Sequence, residues 1–342
     1  MKLSAAFVLI LMPVAGCAQE TKPVTHAASN VIVIAHRGAS GERPEHTIAA
    51  YELAIAQGAD FIEPDLVPTK DGVLVARHEN EISGTTDVAD KPEFAARKAT
   101  RTIDGQQVTG WFTEDFTLVE LKTLRAKERL PMLRPDNKAY DGKFEIPTLA
   151  EVIALAQAKG VGIYPETKHP SYFASIGRPL EARLVDQLKA AGWSKRSDPV
   201  FIQSFEVNNL KALRKLTDLK LVQLMDKDGV PADGAATSYA AMRTPESLRA
   251  IAGYADGIGP AKDAVSAELV SAAHAAGLKV HPWTFRAENY FLPLRRKSGI
   301  DPRKQGDLAG EIADYLAMGV DGVFSDHPAI AVQTVGKTPP QE

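Results

Sequence analysis

The chain has 342 residues, with 40 Lys and Arg against 43 Asp and Glu, a formal net charge of −3 and 44% hydrophobic residues. That length buries a substantial core in one large domain or two small ones, and the near balance of charge excludes the basic stripe of a nucleic-acid binder. A single cysteine excludes an internal disulfide and a zinc cluster of the CxxC type.

In chain order, Lys2 precedes an apolar run from Leu3 to Val14. The run is too short to cross a bilayer as a helix, which takes about 20 residues. With the small residues after it, it reads as an export signal over 1–16. Its end, Val14-Ala15-Gly16-Cys17, resembles the lipobox of bacterial lipoproteins. There the cysteine is acylated and becomes the first mature residue, so the resemblance implies an exported, periplasmic chain held on a membrane by a lipid at Cys17. An ordinary signal cut a residue or two later would instead leave a soluble periplasmic chain. Residues 17–30 carry Pro23 and no large apolar side chain, as a flexible tether does. The far end, 331–342, reads as a polar tail, most plainly from Gly336 onward.

Between these ends strand and helix alternate. The β-branched run 31–34 reads as a strand buried on both faces. A helix over 45–57 follows, with Pro44 at its start and Gly58 at its end. A strand over 61–66 and a hairpin strand over 73–76 flank the turn Asp71-Gly72. Helices are expected at 149–158, 180–191, 207–216, 267–277 and 311–319, and strands at 161–164, 200–203, 219–224, 255–258, 278–282 and 321–324. The main strands beginning at 31, 61, 161, 200, 219, 255, 278 and 321 alternate with helices, the pattern of parallel pairing through right-handed crossovers.

Such units close into a TIM-type (β/α)8 barrel spanning 31–330. About 250 residues is typical of that fold. The surplus is a polar, weakly periodic insertion over 83–145, after the second strand. A doubly wound open sheet is the alternative, but no GxGxxG follows the first strand.

A barrel of this kind builds its site at the carboxyl ends of its strands. Those ends offer His36 and Arg37 on the first strand, and Glu63 and Asp65 on the second, with His78 after its hairpin. Glu166 and Lys168 end the third, Gln203 and Phe205 the fourth, and His281 and Trp283 the seventh. One acidic residue near a strand end is more often a cap or an ion-pair partner, and the functional reading gains because such residues recur at equivalent ends. Residues two apart on a strand share a face, so Glu63, Asp65 and Glu166 are expected to converge. Three converging carboxylates repel unless one is protonated or a divalent cation lies between them, and an oxygen donor set favours Ca²⁺ or Mg²⁺. Arg37 and Lys168 would then make the pocket able to hold a phosphate, the first in bidentate fashion and the second as a point charge. Phe205 and Trp283 either flank a substrate or simply pack at the mouth. His46, His169, His274 and His327 read as structural or solvated.

Three stretches, 36–47 (HRGASGERPEHT), 58–78 (GADFIEPDLVPTKDGVLVARH) and 163–168 (IYPETK), resemble the glycerophosphodiester phosphodiesterase family, most closely its periplasmic bacterial type. Segments 86–90, 145–149, 203–205, 254–260 and 280–284 extend the likeness over about 31–330. The resemblance implies a TIM-type barrel that cleaves glycerophosphodiesters into glycerol 3-phosphate and an alcohol, through a cyclic phosphate or by direct attack of water. It implies Glu63, Asp65 and Glu166 as ligands of a divalent cation, Ca²⁺ ahead of Mg²⁺, and His36 and His78 as paired acid and base. It further implies phosphate contacts from Arg37 and Lys168 and a supporting carboxylate at Glu45, and no protein partner. Two departures stand out: His78-Glu79 replaces the usual His-Asp, with a consequence for how His78 is oriented, and Glu166-Thr167-Lys168 replaces Glu-Ile-Lys. The competing readings are a lysophospholipase D or phospholipase C acting on lipid diesters, and a non-catalytic solute-binding lipoprotein.

Overall fold

The structure, a computed structural model, describes residues 30–340. Cys17, the export signal and all of the tether but Asn30 lie outside the described residues. Eight parallel strands form a ring: β1 (Ile32–His36), β2 (Phe61–Glu63 and Asp65–Pro68), β3 (Gly162–Ile163 and Glu166–Thr167), β4 (Phe201–Ser204), β5 (Lys220–Met225), β6 (Gly257–Pro260), β7 (Lys279–Val280) and β8 (Gly322–Ser325). From β1 to β7 each pairs with the next, and β1 pairs with β8. The ring closes where Asp321 N donates to Val280 O and Phe285 N to Phe324 O. Eight helices, α1 (Ile48–Ala56), α2 (Leu149–Lys159), α3 (Glu181–Ala190), α4 (Val207–Arg214), α5 (Pro245–Ile251), α6 (Ala267–Ala275), α7 (Leu308–Ala317) and α8 (Pro328–Thr334), follow the strands in turn. The fold is the expected (β/α)8 barrel.

Side-chain alternation along the strands explains how the rim is built. On β1, Val33 and Ala35 point out into the main core beneath the helices, while Ile34 joins Tyr164, Phe201, Val222 and Phe324 in a second apolar cluster. That second cluster fills the barrel interior. On four of these five strands the next residue of the same parity is polar: His36 above Ile34, Glu166 above Tyr164, Gln203 above Phe201 and Asp326 above Phe324, while Leu224 follows Val222. Each large interior side chain removed from water contributes about 1.5–3 kcal/mol. The hydrophobic floor therefore also fixes the height of the polar rim above it.

Two strands differ from the expected continuous runs. The second breaks at Pro64 and the third at Tyr164-Pro165, dividing the ring into a four-stranded and a longer sheet. A proline has no N–H to give a ladder, but it accepts: Glu166 N donates to Pro64 O and Gln203 N to Pro165 O, both at 2.9 Å. The first helix starts later than the expected 45. Thr47 is the N-cap and accepts from Ala50 N, while His46 before it has φ +54°. Glu45 and His46 are thus turned into the barrel mouth instead of forming a helical turn. Residues 331–334 are helix rather than tail, because Ala331, Val332 and Val335 complete the apolar core.

Residues 83–145 hold an antiparallel pair, Ala99–Ile103 with Gln106–Gly110, and a short helix, Leu118–Leu121. Trp111, Phe116, Leu121 and Leu124 anchor the stretch to the main core.

Candidate active site

Glu63, Asp65 and Glu166 each bring one carboxylate oxygen to within 4.8 Å of the others, and all three are buried. Each is held by a separate partner. Arg37 N donates to Glu63 Oε2 at 2.8 Å and Gln203 Nε2 to Glu63 Oε1 at 3.1 Å. His46 Nε2 lies 2.8 Å from Asp65 Oδ2, and Lys168 Nζ 2.9 Å from Glu166 Oε1. Asp65 Oδ1 is buried and has no hydrogen-bond donor among the described residues.

Burial pushes Glu63 well above the ordinary carboxylate range, and the charges of Asp65 and Glu166 push it further. Burial raises Glu166 to about 8, with Asp65 adding to the effect and Lys168 opposing it. Asp65 goes the other way: burial would raise it, but Lys168 and the His46 hydrogen bond hold it well below its usual value. Without a cation the trio therefore keeps a proton near neutral pH. The crowded acids and the donorless oxygen of Asp65 fit a hard divalent cation.

Both histidines predicted as acid and base are held at Nδ1 by a carboxylate. His36 Nδ1 lies 2.6 Å from Asp326 Oδ1, and His78 Nδ1 lies 2.7 Å from Glu79 Oε1. An ionised acceptor at Nδ1 keeps the ring proton there and leaves Nε2 as the reactive nitrogen. Burial lowers His36 to about 4, helped by Arg37 and opposed by Asp326. Burial lowers His78 to about 3, helped by Arg37 and Lys168. Both rings are therefore neutral at pH 7 in the free site.

His36, Arg37, Glu63, His78, Glu166, Lys168, Phe205 and Trp283 line one cavity of about 330 Å³ at the carboxyl ends of the strands. Asp65 does not line it, though its carboxylate stands within 4.8 Å of those of Glu63 and Glu166. Phe205 and Trp283 meet edge to face at 5.6 Å, and Trp283 Nε1 donates to Gly259 O. Lys168 Nζ sits 5.8 Å from the Phe205 ring centre. Arg37 is tied more tightly than its expected phosphate role needs: its guanidinium pairs with Glu45 at 3.0 Å and approaches Asp65 at 3.4 Å. Glu45 also receives Arg129 Nε at 2.7 Å.

Several residues of this rim escape a reading of the sequence. Asp326 sits at the carboxyl end of β8, and the strand-end rule finds it once it is applied to the last strand as to the others. Arg286 Nε and Arg134 Nη2 clamp its other oxygen at 2.9 and 2.5 Å. Arg134 comes from the 83–145 stretch, where no local pattern marks it. His46 is neither solvated nor helical but wedged between Asp65 and Tyr51 Oη. His281, expected at the rim, lies in the barrel interior with Nδ1 2.8 Å from Tyr164 Oη. Residue parity places it level with the apolar floor and leaves the mouth to Trp283. Arg37, His46, Asp104 and His169 are the non-glycine residues with positive φ among those described, and all four stand in or beside this rim.

The class to which this barrel and its rim belong is that of the phosphoric diester hydrolases. Residues 36–330 match the glycerophosphoryl diester phosphodiesterase family, and the chain belongs to that family. It is 40% identical over 320 residues to a glycerophosphodiester phosphodiesterase of Arabidopsis thaliana, covering 86% of this chain and 82% of that one. It is 30% identical to the glycerophosphodiester phosphodiesterase of Haemophilus influenzae, over 97% of this chain and 98% of that one. Its fold is similar to that of an Oleispira antarctica phosphodiesterase solved in complex with the product sn-glycerol-3-phosphate, with a TM-score of 0.61 at 24% identity over 89% of this chain and 96% of that one.

Proposed function

We propose that this enzyme cleaves glycerophosphodiesters into glycerol 3-phosphate and an alcohol, with His36 and His78 moving the protons and Glu63, Asp65 and Glu166 holding a divalent cation. The observation that carries this reading is the convergence of two carboxylate-held imidazoles and a buried acid trio on one cavity that also presents Lys168. The names of the relatives and the product in the Oleispira complex support the substrate class. The cavity is at the small end of the roughly 300–1,000 Å³ range of ligand sites, a size suited to a glycerol phosphate.

One imidazole takes the proton of the attacking hydroxyl at Nε2. The P–O bond to the departing alcohol breaks, and the other imidazole, protonated at Nε2, gives its proton to the alkoxide oxygen. The anionic diester beside both rings raises their basicity from the low values of the free site. The attacking oxygen, which bonds to phosphorus as the alcohol leaves, comes from water, giving glycerol 3-phosphate directly, or from the substrate's own glycerol hydroxyl, giving a cyclic phosphate that water then opens with the two rings exchanging roles. Lys168 and Arg37 offset the charge of the phosphoryl oxygens. A divalent cation supplies, when bound, polarisation of a phosphoryl oxygen and neutralisation of developing negative charge. Ca²⁺ is preferred over Mg²⁺ because crowded protein carboxylates can replace its water shell, whereas Mg²⁺ gives up water reluctantly.

The test is release of glycerol 3-phosphate from glycerophosphocholine, with and without chelator, beside lysophosphatidylcholine as the competing substrate. Chelator-sensitive turnover of the first and little of the second is expected. Preferred turnover of the lysolipid would move the assignment to a phospholipase D, and tight binding without turnover would make the protein a solute carrier. The localisation proposal, an exported lipoprotein anchored at Cys17, concerns residues outside those described and rests on the lipobox-like run alone.

A further inference from the structure

The carboxylates behind the two histidines are supported very differently. Asp326 is buried between Arg134 and Arg286. The Glu79 side chain is 48% exposed, and a glutamate in that position loses rotamer freedom when it holds one geometry. A second histidine supplies the missing anchor. While Glu79 Oε1 contacts His78, its Oε2 lies 2.9 Å from His169 Nε2, and His169 Nδ1 lies 2.6 Å from Asp104 Oδ2. Both ring nitrogens of His169 thus face carboxylates. Although burial works against the charge, the hydrogen bonds to Asp104 and Glu79 lift His169 to about 9, so the ring is an imidazolium that donates from both sides.

The backbone is bent to make this chain of contacts. His169 has φ +45° immediately before Pro170, and Asp104 has φ +48° at the turn joining Ala99–Ile103 to Gln106–Gly110. Conformations of that kind in non-glycine residues persist where the surroundings impose them. The turn brings the insertion over the rim, so that four side chains from three separate stretches stand in line: His78, Glu79, His169 and Asp104.

We propose that His169 and Asp104 are positioning residues for the reaction, acting on His78 through Glu79. The proposal rests on the acid/base role given to His78 above. Glu79 sets the proton of His78 on Nδ1 and aims Nε2 into the cavity; His169 stops Glu79 from swinging into solvent; Asp104 fixes the His169 ring. Glu79 meets both histidines at once, one with each carboxylate oxygen.

The experiment is steady-state kinetics of the full chain on glycerophosphocholine with saturating Ca²⁺. His169→Ala is expected to lower kcat about 10- to 100-fold, as removal of an outer partner does at metal-ligating histidines. KM and the Ca²⁺ concentration for half-maximal rate are expected to stay unchanged. His169→Gln, which keeps an N–H for Glu79, restores most of the loss. Asp104→Gly keeps the left-handed turn, removes the carboxylate and produces a smaller fall. In a His78→Ala background none of these changes costs anything further. A His169→Ala variant with wild-type kcat, or losses that multiply with those of His78→Ala, overturns the proposal while leaving the catalytic histidine in place. Wild-type turnover in His78→Ala alone overturns both readings. If His169→Ala does not fold, the Asp104→Gly and His78→Ala pair decides by the same additivity.

Discussion

His36 Nδ1 lies 2.6 Å from Asp326 Oδ1 although 290 residues separate them. The contact joins the end of the first strand to the residue just past the last, which are neighbours in the ring. Arg134 and Arg286 hold the remaining oxygen and keep the carboxyl far below its ordinary value against the cost of burial. Asp326→Asn keeps the shape and removes the charge that orients the ring. We expect kcat to fall about 10- to 100-fold, or about 1.4–2.7 kcal/mol in the barrier, with KM little changed. The two arginines lose a buried counter-charge, so the melting temperature is expected to fall as well. Kinetics at 25 °C and a thermal melt separate the two effects. Unchanged kcat in a folded variant would remove Asp326 from the mechanism.

The acid/base assignment has a simpler test. His36→Ala and His78→Ala are each expected to lower kcat by about 10²- to 10⁴-fold while KM changes by much less. The double variant is expected to retain only the slow rate supported by the cation and the binding residues. Substrates whose leaving alcohol has a low pKa need no proton on departure. Comparing such a substrate with glycerophosphocholine identifies the acid, as the histidine whose loss is partly masked.

Much of this architecture is legible in the chain because its signals are local. Val31 to Ile34 and the later β-branched runs mark the strands, and the parity of Glu63 with Asp65 and of Glu166 with Lys168 places those side chains on one side. What is illegible is what depends on closure. Arg134 reaches Asp326 across 192 residues from a stretch with no periodic pattern. The role of His46 depends on a positive φ that turns it out of the expected helix. Pro64 and Pro165 leave β2 and β3 without two ladder donors, yet both strands remain in the ring through the carbonyls of the same prolines. His281 shows the converse error, since its strand end is correctly located but its parity belongs to the floor.

The anchor proposal predicts a simple fractionation result. The wild-type chain expressed in a Gram-negative host is expected in the membrane fraction, with its first peptide beginning at Cys17 and carrying acyl mass. Cys17→Ser removes the only thiol and is expected to leave the protein uncleaved or soluble, with the same kcat on glycerophosphocholine once purified. Mass spectrometry of the amino-terminal peptide settles the matter. A soluble wild-type chain with an unmodified cysteine would make the segment an ordinary export signal.

The acid trio also makes stability depend on pH in a direction set by the cation. In the chelated enzyme Glu166 is raised to about 8 from an unfolded value near 4.5, and Glu63 is raised too. A carboxyl raised on folding contributes stability while it stays protonated. That contribution is complete below pH 4.5 and is lost as pH climbs through about 8. Chelated protein should therefore melt at progressively lower temperature between pH 5 and pH 8.5. Added Ca²⁺ binds the ionised trio and competes with its protons, so the rise in melting temperature on adding Ca²⁺ should grow over the same interval. Glu166→Gln removes the titrating group and is expected to flatten the chelated profile and to weaken the Ca²⁺ effect. Calorimetric melts across that interval, with EDTA and with CaCl₂, test the trio without any assay of turnover. A Ca²⁺ shift that is absent, or that is the same at pH 5 and pH 8.5, would show that these three carboxylates do not hold the ion.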